Sequence, residues 1–268
     1  MSRVVVITGG TSGIGEACAK EFIKNGDTVI CLSRKNSNHS QNFYMCDVSI
    51  EPMVHDVLER VYEKFGAFDV LINNAGYGVS GAVELIDGQE AQGIFDVNYF
   101  GVLNCIKYAI PYMKKGSKII NMSSATALFP LPFRALYCAS KAAVNSLSYS
   151  TAMEVKPLGI DVIAVCPGDV KTNFTKNRVK ISETNERYGD RIKNAALAID
   201  LKEDKRMSPE VVSKKVYKIS LKKHSKPLVI VGAKYKVLYF MTKIFPKKLV
   251  HAVIYKHFGG FKKVDTKD

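Results

Sequence analysis

The sequence predicts an α/β fold in one domain spanning residues 1–268. Three observations carry that prediction. A short apolar run at 4–8 passes straight into a glycine-rich turn and then a helical pattern, the order of a buried parallel strand feeding a helix. Further apolar runs of strand length alternate with amphipathic stretches of helix length along the rest of the chain. The 268 residues, 47% hydrophobic and 24% charged, suit a globular domain large enough for a sizeable core, with no repeats or low-complexity linkers to divide it.

The first strand, 4–8, enters Thr8-Gly-Gly-Thr-Ser-Gly-Ile-Gly15, and a helix follows from 16 to 24. Glycines let the backbone approach a pyrophosphate closely, and the helix start offers free N–H groups and a positive dipole end. The spacing is Gly9-x3-Gly13-x-Gly15 rather than GxGxxG, and Thr11, Ser12 and Ile14 complete the turn. The second strand, 28–33, ends in Ser33-Arg34-Lys35. At such a strand end an acid suits the ribose hydroxyls of NAD, whereas cations suit the 2′-phosphate of NADP, so the pair of cations points to NADP(H). The third strand, 43–46, delivers Asp47 and Val48 beside the expected adenine position. A helix over 52–65 begins at a proline.

The fourth strand, from 70, runs into Asn74-Ala-Gly76, where small residues leave room for a cofactor against backbone. A helix over 101–113 is preceded by Asn98, and strand five covers 118–122 before Ser123 and Ser124. Tyr137-Cys-Ala-Ser-Lys141 opens a helix reaching about 156. On a helix, i and i+4 share a face, so a phenol and an ammonium meet there. A nearby cation favours phenolate, so the pair predicts a lowered Tyr137 pKa and a proton-exchanging phenol. Ser124 is positioned to hydrogen-bond the same substrate oxygen. Strand six, 161–166, ends in a turn through Pro167 and Gly168, with Val170 and Thr172 following.

The polar stretch 173–206 reads as a helical lid over the site. Ser208 and Pro209 form a helix start, with the serine as cap, and 227–232 is the last strand. Two basic amphipathic helices, 234–245 and 247–258, belong to a C-terminal extension, 234–268. Residues 207–268 hold fifteen lysines against Glu210, Asp265 and Asp268, so +12 of the net +14 sits in this last part. Two readings of the helices stand: their apolar face closes over the cleft, or it lies on an anionic membrane surface. The first is favoured, each helix being short.

Taken together, TGGTSGIG, NNAG, Asn98, Ser124, YCASK and Cys-Pro-Gly168 occur in order and in register over nearly the whole chain. This set resembles the short-chain dehydrogenase/reductase family, in its single-domain branch of about 250 residues. The resemblance implies a doubly wound Rossmann fold of about seven parallel strands with helices on both faces. It implies a catalytic tetrad of Asn98, Ser124, Tyr137 and Lys141. Tyr137 serves as acid or base, Ser124 polarises the substrate oxygen, Lys141 binds the nicotinamide ribose, and Asn98 supports a water. The cofactor contacts it implies are Gly9, Thr11, Ser12, Gly13, Ile14, Gly15, Ser33, Arg34, Lys35, Asp47, Val48, Asn74, Ala75, Gly76, Tyr137, Lys141, Pro167, Gly168, Val170 and Thr172. Ser123 is the alternative serine, and Ser12 stands where some NADP-preferring members carry a base.

Within the family, 77–84, 129–133 and the late Val-Gly232 stretch with its basic tail resemble hydroxysteroid- and retinol-dehydrogenase-like members. That implies interconversion of a secondary alcohol and a ketone on a bulky apolar substrate, a hydroxysteroid or similar lipid, with Val79, Phe129, Leu131 and Phe133 near it. The alternatives are a carbonyl reductase of small ketones or aldehydes and a non-catalytic NADP-binding sensor. A homo-oligomer, dimer or tetramer, is implied, and a cytoplasmic location is expected. No signal peptide, membrane span, metal-ligand spacing or nucleic-acid motif is read in the sequence, and the six scattered cysteines read as buried thiols.

Overall fold

The computed structural model describes residues 2–36, 42–174, 177–181, 185–200, 206–259 and 261. The elements run β1 (Val4–Thr8), α1 (Gly13–Lys24), β2 (Thr28–Ser33), β3 (Phe43–Met45), α2 (Glu51–Phe65), β4 (Phe68–Asn73) and β5 (Val79–Ser80). They continue with α3 (Gly88–Phe95), α4 (Gly101–Ala109), β6 (Met113–Met122), α5 (Ala135–Glu154), β7 (Asp161–Pro167) and β8 (Val179–Lys180). The last are α6 (Arg191–Asp200), α7 (Pro209–Ser220), β9 (Leu228–Val231), α8 (Ala233–Ile244) and α9 (Lys247–Phe258).

The main sheet has seven strands in the order β3-β2-β1-β4-β6-β7-β9, all paired in parallel. Alternation along each strand builds the two cores. Val4 and Val6 of β1 face one way, with Ile30, Leu71 and Ile119, onto the apolar faces of α2 and α4. Val5 and Ile7 face the other way, with Ile72, Ile120 and Ile163, onto Cys18 and Phe22 of α1 and Val212 and Val216 of α7. Helices on both faces make the sheet doubly wound. The order of the strands reverses between β1 and β4, and the crevice at the carboxyl ends of those two strands is where such sheets bind ligands.

Several boundaries differ from the sequence reading. The 101–113 helix stops at Ala109, because Pro111 enters a 3₁₀ turn and Met113 already pairs with Phe68 in the sheet. Asn98 lies in a π-helical turn over Asp96–Phe100, continuous with α3 and α4. Ser208 stands at the start of α7, yet its hydroxyl makes no capping bond to the helix. That hydroxyl, near the Glu210 carboxylate, is the first cause holding that group below the usual glutamate range. A second, two-stranded sheet of β5 and β8 escaped the sequence reading, each strand being too short to show a period. Of the segment 173–206, expected to form a lid, 175–176, 182–184 and 201–205 lie outside the described residues, as do 260 and 262–268 of the extension.

Candidate active site

The glycine turn is clamped to the end of β4. Thr8 Oγ1 accepts from the N–H groups of Asn74 (2.9 Å) and Ala75 (3.0 Å), and Asn74 Nδ2 donates to the carbonyls of Thr8 and Gly9, 3.2 Å each. Gly15 fits because any Cβ there would strike the Gly9 carbonyl, so the first turn of α1 lies directly on the loop. Gly13 at φ +54° takes a backbone conformation that side chains resist. The result is an open cradle at a helix start, walled by Gly9, Ser12, Gly13 and Ile14, continuous with a pocket that reaches Tyr137 and Lys141. Its donors and dipole suit a pyrophosphate, so the residues present fit a dinucleotide.

At the deeper end, Tyr137 and Lys141 project from the first turns of α5 into the pocket, opposite Ser124. The Ser124 hydroxyl shares the pocket wall with Tyr137 and accepts from Thr126 Oγ1 at 3.0 Å. Ser123 points elsewhere, its hydroxyl donating to the Lys141 carbonyl at 3.0 Å. Lys141 is 4% exposed and its Nζ donates to the Met122 carbonyl at 2.9 Å. Asn98 is fully buried: its Nδ2 donates to the Tyr77 carbonyl (3.0 Å) and Ser140 Oγ (3.1 Å), and its Oδ1 accepts from Tyr77 N–H (3.0 Å). Gly76 threads between: a Cβ there would lie 2.8 Å from Asn98 Oδ1 and 3.4 Å from Lys141 Nζ. The π turn thus brings a third polar group to the Tyr137–Lys141 face, as such turns do at functional sites.

The electrostatics correct one expectation. The cation of Lys141 is expected to lower the Tyr137 pKa, but burial raises that phenol, and the effects opposing the rise come from the Ser124 hydroxyl and the Arg134 and Arg178 charges. Burial instead acts on Lys141, lowering it from 10.5 to about 8. The physical reason is desolvation: it penalises the charged form of each group, phenolate in one case and ammonium in the other.

Residues 3–182 match the family model described as short chain dehydrogenase. The chain belongs to the short-chain dehydrogenase family. It is 36% identical over 248 residues to a 3-ketodihydrosphingosine reductase of Bacteroides thetaiotaomicron, covering 90% of this chain and 92% of that protein. A 3beta-hydroxysteroid dehydrogenase of Mediterraneibacter gnavus is 31% identical over 188 residues, 65% of this chain and 68% of that one. A solved structure of ElxO with NADP bound is 29% identical with a TM-score of 0.73, covering 88% of this chain and 100% of that one. The chain is therefore an oxidoreductase of the family that acts on alcohol and keto groups with nicotinamide cofactors.

Of the cofactor positions read from the sequence, Gly9, Ser12, Gly13, Ile14, Asn74, Ala75, Gly76, Tyr137, Lys141, Pro167, Gly168, Val170 and Thr172 line the pocket of this short-chain dehydrogenase. The rest do not line it. Thr11 Oγ1 donates to Ser33 Oγ at 3.1 Å, joining the turn to the end of β2, where Arg34 and Lys35 are exposed. Asp47 Oδ1 accepts from Ser49 Oγ at 2.6 Å, and Val48 packs on Gly101. Val79, Phe129, Leu131 and Phe133 are not lining side chains either. Phe129 and Leu131 pack beneath the C-terminal helices, and Val79 is buried in β5. Sequence reasoning missed Arg134, Asp169, Phe174, Arg178, Arg206 and Tyr235, which do line the pocket. Arg134 lies three residues before Tyr137, and Asp169 between Gly168 and Val170, intervals that signal them; Phe174, Arg178 and Arg206 come from loops and Tyr235 from the first turn of α8, with no sequence signal.

Proposed function

We propose that this chain is an NADP(H)-dependent oxidoreductase that interconverts a secondary alcohol and a ketone on a lipid-like substrate. The observation that carries the reading is the Tyr137 phenol standing with Ser124 on the pocket wall, one turn from the buried Lys141 ammonium. The nicotinamide cofactor, when bound, supplies or accepts the hydride. In carbonyl reduction Tyr137, held protonated by its raised pKa, gives its proton to the substrate oxygen. Ser124 donates to the same oxygen as negative charge develops there. Lys141 holds its cation beneath, where a ribose hydroxyl pair would find a donor, and Asn98 fixes the backbone of Tyr77 that walls the site.

Support for NADP comes from Arg34 and Lys35 at the end of β2 and from the NADP-bound relative. Support for a lipid substrate comes from the names of the two enzyme relatives and from the Phe174 and Tyr235 rings on the pocket wall, with Phe174 5.6 Å from the Tyr137 ring. The segment 173–206, whose Phe174, Arg178 and Arg206 reach the pocket, is part of the proposal as a substrate lid. NADPH oxidation followed by absorbance against 3-ketodihydrosphingosine, ketosteroids and simple ketones tests the reading. A lipid ketone is expected to be turned over at least about tenfold more efficiently than any small ketone, the low end of what one extra methylene held in an apolar pocket gives. Turnover of small ketones alone would sink the lipid assignment.

A further inference from the structure

The outer face of α8 is a continuous apolar stripe that the fold leaves uncovered. Val237, Phe240, Met241 and Ile244 stand at i, i+3, i+4 and i+7, one side of the helix, at 60, 63, 40 and 58% exposure. Leu249 and Val253 continue it on α9, at 51 and 53%. The opposite side of the pair is already used: Tyr235, Leu238, Ile254 and Phe258 pack onto Phe129 and Leu131. That side packs on the body of the protein, and of these four residues only Tyr235 lines the pocket. Scattered exposed apolar residues are ordinary, but a helical stripe of them marks an interaction surface.

Charge selects the occupant. Residues 233–259 contain Lys234, Lys236, Lys243, Lys247, Lys248 and Lys256, all exposed, and no acidic residue. A second copy meeting this face symmetrically would set lysines against lysines. An apolar stripe flanked by lysines suits an anionic lipid surface, with side chains in the acyl boundary and ammonium groups among the headgroups. We infer that α8 and α9 dock the enzyme peripherally on anionic bilayers. No helix among the described residues is long and apolar enough to cross a membrane, so the attachment is to one leaflet. Tyr235, in the first turn of α8, lines the catalytic pocket, which places the pocket within one or two turns of the docked face. The inference rests on exposure and charge and stands apart from the substrate assignment.

Flotation of the full-length protein with phosphatidylcholine vesicles, with and without phosphatidylglycerol, tests it in the absence of cofactor and substrate. The wild type is expected to float with anionic vesicles only, and less so at high salt. Each of Lys243→Glu, Lys247→Glu and Lys248→Glu should lower the partition at least about fivefold, the loss of one lysine at a charged surface. Val237→Ser/Phe240→Ser/Ile244→Ser changes only exposed positions and should abolish flotation, with its fold checked by circular dichroism. Wild-type protein that floats with neither vesicle, or equally with both, overturns the inference. So does a triple variant that floats like wild type. Sedimentation velocity showing a dimer that the triple variant loses, with no vesicle binding, assigns the face to a second copy and also overturns it.

Discussion

At the scale of single residues, the site is a set of desolvated groups whose protonation follows from burial. Tyr137 is raised by burial, so it holds its proton throughout the neutral range. Tyr137→Phe keeps the ring packing against Phe174 and removes the transferable proton. Turnover should fall ~10²–10⁴-fold while NADPH affinity, read by fluorescence titration, stays near wild type. The two serines separate cleanly. Ser124→Ala removes the hydroxyl beside Tyr137 and should lower kcat by about 10²-fold, as loss of one oxyanion donor does. Ser123→Ala removes the bond to the Lys141 carbonyl and should cost about 1 kcal/mol of stability with far smaller change in kcat. Lys141 gives a pH signature. Its folded pKa of about 8 lies below the usual 10.5, so the unfolded chain binds the extra proton between those values. Folding carries a penalty below pH 8 that is relieved as pH rises from about 8 toward 10.5. Lys141→Met should therefore be inactive yet more stable at pH 7, by up to about 3 kcal/mol, with the difference shrinking across that window in thermal melts.

At the scale of elements, function is built where strands end. The β1 turn, the β4 end, the β6 end and the start of α5 each line the pocket, and Asn74 ties two of them together. On the NADP reading, the end of β2 carries the cofactor choice. Arg34 there is exposed, beside the Thr11–Ser33 hydrogen bond, so a phosphate at that position meets a planar multi-donor cation. Arg34→Ala should raise the NADPH KM roughly tenfold to a hundredfold and leave NADH nearly unchanged. Equal kcat/KM for both cofactors in the wild type would refute the NADP reading. The π turn between α3 and α4 is the other decisive element. It rotates Asn98 inward, toward Ser140 on α5 and the Tyr77 backbone, from a stretch whose sequence reads as plain helix start.

At the scale of the whole molecule, the two ends of the sheet do different work. The pocket lies at the carboxyl ends of the strands, while the amino ends carry stabilising contacts. Lys118 and Asp161, register partners on β6 and β7, form an ion pair at 2.5 Å there, with the Lys118 side chain almost wholly buried. Lys118→Ala leaves a partly exposed carboxylate without its partner and opens space between the strands. It should cost about 2–4 kcal/mol, below the full figure for a buried pair because Asp161 keeps some water. Urea unfolding should show that loss while the pH profile of turnover, set at the far end of the sheet, is unchanged.

The elements that place a dinucleotide were legible in the chain because their requirements are local. A strand, a turn that only glycine can make and a helix start are specified by neighbouring residues, and the i, i+4 spacing of Tyr137 and Lys141 is covalently given. The seven parallel strands followed from the family resemblance, and β1 shows why they are stable: alternate residues feed two different cores. What the chain did not disclose depends on distance through space. Desolvation set the direction of the Tyr137 and Lys141 shifts, and Arg134 and Arg178, not Lys141, are the charges that oppose the rise at Tyr137. The orientation of two adjacent serines was settled by a backbone carbonyl eighteen residues away in sequence. The side of α8 that meets the body could be known only once Phe129 and Leu131 stood against it, since an amphipathic pattern names an apolar face but not what covers it.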